Sequence, residues 1–291
     1  QTKDLLAGEH GTIMVLCGDT PLLTAELLAR FHEEHVQAGA KATVLTAIMP
    51  NAKGYGRVIR RENGEVLKIV EHKDATPEER EIHEVNAGIY CFDTQALFAA
   101  LANVTNDNAQ GEYYLPDVLS ILRDAGEKIW AVTADNYEST LGINSRSQLA
   151  VAERILRRRK VEELMADGVT IIDPHTTFID AEVRVGMDTV IYPFTFLEGV
   201  TVIGEDCVIG PNVRFQNMVV GDNVKAHYVY AHDAEVENGA ELGQFNHIRP
   251  DSHIGAGVKM GNFVEVKNSN IGAGSKLPHL SYIGDCDLGA H

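Results

Sequence analysis

The chain has 291 residues, enough for two domains that each bury a core. Twenty-five Lys and Arg stand against 42 Asp and Glu, a formal net charge of -17, which disfavours nucleic acid and anionic membranes as partners and leaves small anions held by local Arg and Lys clusters open. With no apolar run long enough to span a bilayer, no signal peptide, and Cys17, Cys91, Cys207 and Cys286 far apart, no zinc site or disulfide framework is implied and a reduced, cytoplasmic protein is expected.

Asp4 to Ala7 is helical in character and leads into Thr12 to Leu16, a short apolar run that reads as a strand buried on both faces of a parallel sheet. Gly18 and Asp19 follow at its carboxyl end, where open α/β sheets bind ligands. Thr24 to Ala38 reads as a helix and Lys41 to Met49 as the next strand, an alternation that indicates an α/β sheet. Asn63-Gly64 joins the strand-like segments Val58 to Arg61 and Glu65 to Glu71 as a hairpin. Thr76-Pro77-Glu78-Glu79 is a capping box with proline in the first turn, so a short helix starts there. Glu84 to Phe92 reads as a strand, Thr94 to Ala102 as a helix, Asn108 to Leu115 as a polar loop before a helix around Pro116 to Asp124, and Ile129 to Thr133 as the closing strand.

Leu141 to Asn144 precedes a second capping box, Ser145 to Gln148, and a charged helix that runs to about Asp167 with Gly168 as its stop. Arg157 to Lys160 reads as part of a solvated face, given Glu153, Glu162 and Glu163 nearby. This helix is expected to connect two domains.

From about Val183 an aliphatic or aromatic residue returns every sixth position: Ile191, Leu197, Ile203, Ile209 and Phe215. After an irregular middle the interval resumes at Leu242, Ile248, Ile254, Met260 and Val266, then slips by single residues to Ile271, Leu277, Ile283 and Leu288. This period fits a parallel β-helix of hexapeptide repeats. The aliphatics are expected to point inward, with the small or β-branched Thr189, Thr195, Thr201, Cys207 and Val213 beside them, and the glycines that follow the aliphatics to relieve tight corners.

Several segments together carry a family resemblance. Leu-Cys-Gly-Asp-Thr-Pro-Leu, Gly-Tyr-Gly-Arg, Ile-Val-Glu-His-Lys-Asp-Ala, Asn-Ala-Gly-Ile, Asn-Ala-Gln-Gly-Glu-Tyr-Tyr and Leu-Gly-Ile-Asn are followed by Ile-Arg-Pro, Gly-Asn-Phe-Val-Glu-Val-Lys and His-Leu-Ser-Tyr-Ile-Gly-Asp. In this order they resemble the bacterial bifunctional N-acetylglucosamine-1-phosphate uridylyltransferases / glucosamine-1-phosphate acetyltransferases, over nearly the whole chain. Two departures stand out: the family's glycine-rich nucleotide loop and its later acetyl-CoA rungs have no counterpart here. An internal fragment, itself inactive, is therefore expected.

The resemblance implies a Rossmann-like nucleotidyltransferase domain (1–144), a linker helix (145–168) and a left-handed β-helix acetyltransferase domain (169–291) that forms a homotrimer. It implies acetyl transfer from acetyl-CoA to glucosamine-1-phosphate, then uridylyl transfer from UTP with release of pyrophosphate, in supply of cell-wall precursors. Asp19 and Asn144 match the family's Mg2+ ligands, with the hard oxygens that ion prefers. Gly18, Gly56, Glu71 and Asn86 match substrate-binding positions, the last three around the N-acetylglucosamine moiety. Arg249, Lys267 and Tyr282 match the acceptor site, where Arg and Lys suit a phosphate, and His279 matches the general base that deprotonates the acceptor amine. Taken singly, Asp19 reads as a turn residue before Pro21, Glu71 and Asn86 as strand-end polar residues, and His279 as one of 12 histidines. Two other readings use the same domains: a monofunctional sugar-nucleotide pyrophosphorylase whose β-helix regulates or oligomerises, and a non-catalytic assembly scaffold.

Overall fold

The computed structural model describes residues 5–6, 8–105 and 113–291. The chain divides into two compact units, Gln1–Ala152 and Glu153–His291. The start of the helical Asp4 segment and most of the polar loop at 108–115 lie outside the described residues.

The first unit is a mixed α/β sandwich. Its strands are β1 (Thr12–Val15), β2 (Ala42–Ile48), β3 (Arg57–Arg60), β4 (Val66–Val70), β5 (Glu84–Asp93) and β6 (Ile129–Thr133). They pair in the order β4-β3-β5-β2-β6, with β1 also on β5. Side chains alternate across the sheet and fill two cores. On one face Val44, Phe92 and Ala131 meet the helices α3 (Thr94–Leu101) and α4 (Asp117–Asp124) through Leu97, Val118 and Leu122. On the other, Leu45, Cys91 and Val132 meet Leu27 and Phe31 of helix α1 (Ala25–Ala38).

Capping follows the sequence. Thr24 Oγ1 accepts from Leu27 N at the start of α1, and Gly39 closes that helix in the left-handed conformation at φ 58. Thr76 and Glu79 form the reciprocal box at helix α2 (Pro77–Arg80). One expectation is corrected: β1 does not run buried within a parallel sheet. It pairs antiparallel with β5, Thr12 opposite Asp93 and Val15 opposite Tyr90, and all four of its residues are half-buried. Among the described residues of this sheet only β2 and β6 pair in parallel; the apolar run did not reveal this because hydrophobicity reports that a strand is covered and not the direction of its neighbour.

The second unit begins within helix α5 (Arg146–Ala166) and winds into a three-faced parallel solenoid with seven strands on each face. The first face runs from Thr170–Ile171 to Lys276–Leu277, the second from Phe178–Ile179 to Ser281–Gly284, and the third from Arg184–Val185 to Asp287–Leu288. Pairing is parallel on each, for example Val190 with Val208, Leu197 with Phe215 and Ile203 with Val220. The coil is consistent with a left-handed β-helix.

The hexad residues do point inward: Ile191, Leu197, Ile209, Phe215, Ile248, Ile254 and Val266 are fully buried. Leu288 is in register with buried Ile271 but less covered. It lies on the last strand of its face and is 37% exposed. Through the irregular middle the interior is filled by Val220, Ala226, Ala231 and Val236. Beside the aliphatics, Thr189, Thr195 and Thr201 are also fully buried and give their hydroxyl protons to the carbonyls of Gly204, Tyr192 and Glu198 at 2.8, 2.8 and 2.7 Å. A buried hydroxyl left unpaired costs about 1–3 kcal/mol, so these bonds make a polar atom tolerable inside the coil.

The corners differ from expectation. Left-handed φ is carried mainly by Asp, Asn and aromatic residues, such as Asp206 (φ 56), Asn217 (φ 51), Phe245 (φ 61) and Phe263 (φ 59). Several glycines after the aliphatics serve a different need, close approach of successive turns. A β-carbon at Gly243 would lie 2.6 Å from the carbonyl oxygen of Gly261 on the next turn.

Candidate functional site

In the first unit, a cleft of about 360 Å3 opens beyond the carboxyl end of β1, lined by Cys17, Asp19, Thr20, Lys53, Gly54, Tyr55, Ala87, Thr140, Gly142, Asn144 and Gln148. Asp19 and Asn144 are both exposed in it. Two contacts bring the loops together: Ile143 N donates to the Asp19 carbonyl at 2.9 Å, and a β-carbon at Gly142 would meet Asp19 Oδ2 at 3.2 Å. Behind Asn144, Ser145 Oγ accepts from Gln148 N at 3.2 Å, and Gln148 Oε1 takes the Asn144 amide proton at 2.7 Å. The capping box that starts α5 therefore also fixes the Asn144 backbone. Gly18 is exposed beside Asp19 and is not itself part of the cleft lining.

The sugar-matching residues form a second cluster. Asn86 N donates to the Gly56 carbonyl at 2.9 Å, and Glu71 Oε1 lies over Gly56, where a β-carbon would meet it at 3.1 Å. Their sequence neighbours Tyr55 and Ala87 line the cleft, so the two clusters are contiguous. The Asn86 carboxamide accepts from Gly88 N at 2.9 Å and donates to Tyr90 Oη at 2.8 Å. Burial pushes the Tyr90 hydroxyl up to about 12, so it keeps its proton. The Cys17 thiol is raised too, by burial first and by the Asp19 carboxylate second.

Among the described residues no group of three or more His, Cys, Asp or Glu side chains gathers to hold a metal. Asp19 and Asn144 supply two hard oxygens at the open cleft. That set suits Mg2+, which keeps several waters and takes substrate phosphate oxygens alongside one or two protein ligands.

In the second unit, Arg249, Lys267 and Tyr282 come together on the outside of the second face. Arg249 N donates to the Val266 carbonyl at 2.8 Å, which sets Arg249 beside Lys267, and Tyr282 stands opposite Glu265 in the register of strands Val264–Lys267 and Ser281–Gly284. His279 is exposed at the corner just before that face, two residues after buried Leu277. Both cations are paired. Arg249 Nη1 lies 3.0 Å from Glu265 Oε1, and Lys267 Nζ lies 3.2 Å from Asp285 Oδ2. Bonds from Asn268 and then Lys267 hold the Asp285 carboxyl below its usual range. Sequence reasoning missed Tyr90, Glu265 and Asp285. For Glu265 the signal was present, since it sits two positions before Lys267 on one strand and so shares its outward face.

Comparison with known proteins gives three findings. A family model described as nucleotidyl transferase matches residues 1–142. Proteins described as bifunctional protein GlmU match along the whole length: that of Geobacillus sp. (strain WCH70) is 52% identical over 291 residues, 100% of this chain, and that of Geobacillus thermodenitrificans (strain NG80-2) is 54% identical over 290 residues, also 100% of this chain. The chain spans 63% of the length of each. Among solved structures, a putative glucose-1-phosphate thymidylyltransferase from Bacillus anthracis, in complex with a sucrose, matches with TM-score 0.40 and 18% identity over 53% of this chain and 57% of that one. A likeness of that size carries no argument.

Proposed function

Because the chain belongs to the family of bifunctional GlmU proteins, we propose that it carries two sites of UDP-N-acetylglucosamine synthesis, a uridylyl-transfer site in the first unit and the acceptor site for acetyl transfer in the solenoid. The first reaction in sequence moves an acetyl group from acetyl-CoA to glucosamine-1-phosphate. The second joins the N-acetylglucosamine-1-phosphate so formed to the uridylyl group of UTP. Residues 1–144 then serve as the uridylyltransferase part, 145–168 as the linker and 169–291 as the acetyltransferase part. The domains would work in the cytoplasm as a homotrimer assembled through a left-handed coil. Among the described residues no helix is long and apolar enough to cross a membrane.

For uridylyl transfer, a phosphate oxygen of N-acetylglucosamine-1-phosphate attacks the α-phosphorus of UTP, and the bond to the β-phosphate bridging oxygen breaks to release pyrophosphate. Enzymes accelerate such transfers chiefly by positioning and by stabilising charge on the phosphoryl oxygens. Gly56, Glu71 and Asn86 hold the sugar, the glycine allowing close approach of its backbone. Gly18 and Asp19 form the loop against which the phosphates lie. Asp19 and Asn144 would hold Mg2+, whose charge would help neutralise the phosphoryl oxygens there.

For acetyl transfer, Arg249 and Lys267 bind the phosphate of glucosamine-1-phosphate and Tyr282 flanks it. His279 takes a proton from the acceptor ammonium, so that the amine lone pair can attack the thioester carbonyl and release coenzyme A. The gathering of Arg249, Lys267 and Tyr282 on one face supports this reading over a purely regulatory solenoid, which needs no such convergence.

The observation that carries the proposal is the contiguity of Asp19 and Asn144 with the Gly56, Glu71 and Asn86 cluster. Calorimetry with UDP-N-acetylglucosamine tests it. Binding that tightens on adding Mg2+, with the Mg2+ dependence removed by Asp19→Ala, is expected. A Mg2+ effect of equal size in Asp19→Ala would refute the metal assignment, and no binding at all would favour the scaffold reading.

A further inference from the structure

A carboxamide presents a donor at one end and an acceptor at the other in nearly the same shape, so a site built on Asn86 discriminates only if something fixes which end faces the ligand. Here the Gly88 N–H does so, and Tyr90 holds the result in place. Gly88 N–H requires an acceptor, which makes the atom 2.9 Å away Oδ1. The opposite end, Nδ2, then donates to Tyr90 Oη at 2.8 Å, and the hydroxyl returns its proton to Oδ1 at 3.2 Å. We propose that Tyr90 is a positioning residue that pins the plane of the Asn86 carboxamide in the orientation selected by Gly88 N–H, so that Asn86 offers the sugar an N–H donor and recognises an acceptor oxygen on it. This rests on the assignment of Asn86 to the sugar subsite made above.

The count of bonds gives the specificity. Oδ1 has two lone pairs, and Gly88 N–H and Tyr90 O–H use both. Nδ2 has two hydrogens, of which one goes to Tyr90. What remains for a ligand is a single N–H, and its partner is a hydroxyl or acetamido carbonyl oxygen.

Tyr90 is suited to the task because it cannot easily move. It is 3% exposed, its ring stacks on Phe92 with centroids 5.7 Å apart, and it stands opposite Val15 across the β1–β5 pairing. Its hydroxyl also stays protonated throughout the physiological range, so the reciprocal pair persists at any pH at which the protein works. Gly88, at φ 73, places the N–H that completes the clamp in a conformation that a residue with a side chain rarely adopts.

The test combines side-chain NMR with calorimetry. In the unmutated chain, the Asn86 side-chain amide, assigned by its disappearance in Asn86→Asp, should exchange with solvent at least tenfold more slowly than that of exposed Asn63. This measurement needs no variant to retain its fold beyond the assignment. Tyr90→Phe should abolish the protection and weaken UDP-N-acetylglucosamine binding by roughly three- to tenfold, the scale of one neutral hydrogen bond. On an Asn86→Ala background the same Tyr90→Phe change should have no further effect, because a residue that acts through another loses its role with it. Free exchange of the Asn86 amide in the unmutated chain, or an equal loss of affinity on both backgrounds, would overturn the proposal. If the amide is protected but Asn86→Ala leaves affinity unchanged, the clamp stands as structure and the sugar-subsite assignment is what falls, taking the positioning role with it.

Discussion

Asn86 and Gly56 are joined through their backbones: the amide of Asn86 donates to the Gly56 carbonyl across 2.9 Å and fastens β5 to the turn that enters β3. Glu71 lies over the same glycine, so one small residue sets the spacing of two polar side chains. A β-carbon on Gly56 would meet Glu71 Oε1 at 3.1 Å and Ile69 Cγ2 at 3.3 Å. Gly56→Ala should therefore push Glu71 aside and weaken UDP-N-acetylglucosamine binding about tenfold, read by calorimetry. The melting temperature should drop by only a few degrees, on the scale of about 1 kcal/mol.

His279 is exposed at a corner of the coil. In acetyl transfer from acetyl-CoA to glucosamine-1-phosphate, His279→Ala should lower the rate by roughly a hundredfold or more, the usual scale for a general base. Uridylyl transfer should not change. Steady-state assays of both half-reactions with and without His279→Ala decide this, and an unchanged acetyl-transfer rate would remove His279 from the mechanism.

Asp285 neutralises Lys267 in the unliganded site, so an incoming phosphate must displace a carboxylate as well as shed its own water. Asp285→Asn should tighten binding of glucosamine-1-phosphate about two- to fivefold at low ionic strength, the scale of one exposed ion pair. The gain should shrink as salt is added. Titrations at two salt concentrations measure it. A loss of affinity would mean that Asp285 orients Lys267 and does not compete for it.

His35 is buried at 3% exposure with Nδ1 2.7 Å from Thr43 Oγ1. Its pKa is lowered from 6.5, first by burial and then by His32, with Asp93 opposing. A group whose folded pKa lies below its unfolded one takes up protons more readily when unfolded. The neutral ring's contribution is thus complete above pH 6.5 and is lost as pH falls from there through the folded value. Thermal melts of the first unit should fall by a few degrees from pH 7 to pH 5 beyond any shared acid effect, and His35→Leu should flatten that slope.

Gly243 and Gly289 separate the two uses of glycine in the coil. Neither has left-handed φ. At Gly243 a β-carbon would sit 2.6 Å from the Gly261 carbonyl, whereas at Gly289 nothing lies within 4 Å. Gly243→Ala should cost on the order of 1–3 kcal/mol and lower the melting temperature by several degrees, while Gly289→Ala stays near neutral.

These glycines also mark how far the sequence could be read. The coil was legible wherever a large aliphatic returned at intervals of six, as at Ile191 to Phe215, because only stacking explains that period. Between Phe215 and Leu242 the inward residues fall at Val220, Ala226, Ala231 and Val236, with steps of five mixed among steps of six and two alanines too weakly apolar to stand out. The direction of β1 was not legible, since an apolar run looks the same beside a parallel or an antiparallel neighbour. Among candidate site residues, the motifs located Asp19, Asn86 and Lys267. Asp285 reaches Lys267 across turns, which no local pattern records, and Tyr90 reaches Asn86 within β5 past the left-handed Gly88, whereas Glu265 was legible from the outward face it shares with Lys267.

The stacking of single strands has a consequence for how the solenoid can vary in length. Arg249, Lys267 and Tyr282 belong to three successive turns of one face, each about 4.8 Å above the last. Removing one whole turn would shift everything after it by one rung and leave each residue on its own side of the prism. Removing a third of a turn would rotate every later residue onto a different side and scatter this cluster across the surface. Insertions and deletions in such a chain are therefore quantised, and a working site can be lengthened, shortened or moved along the axis only in complete circuits.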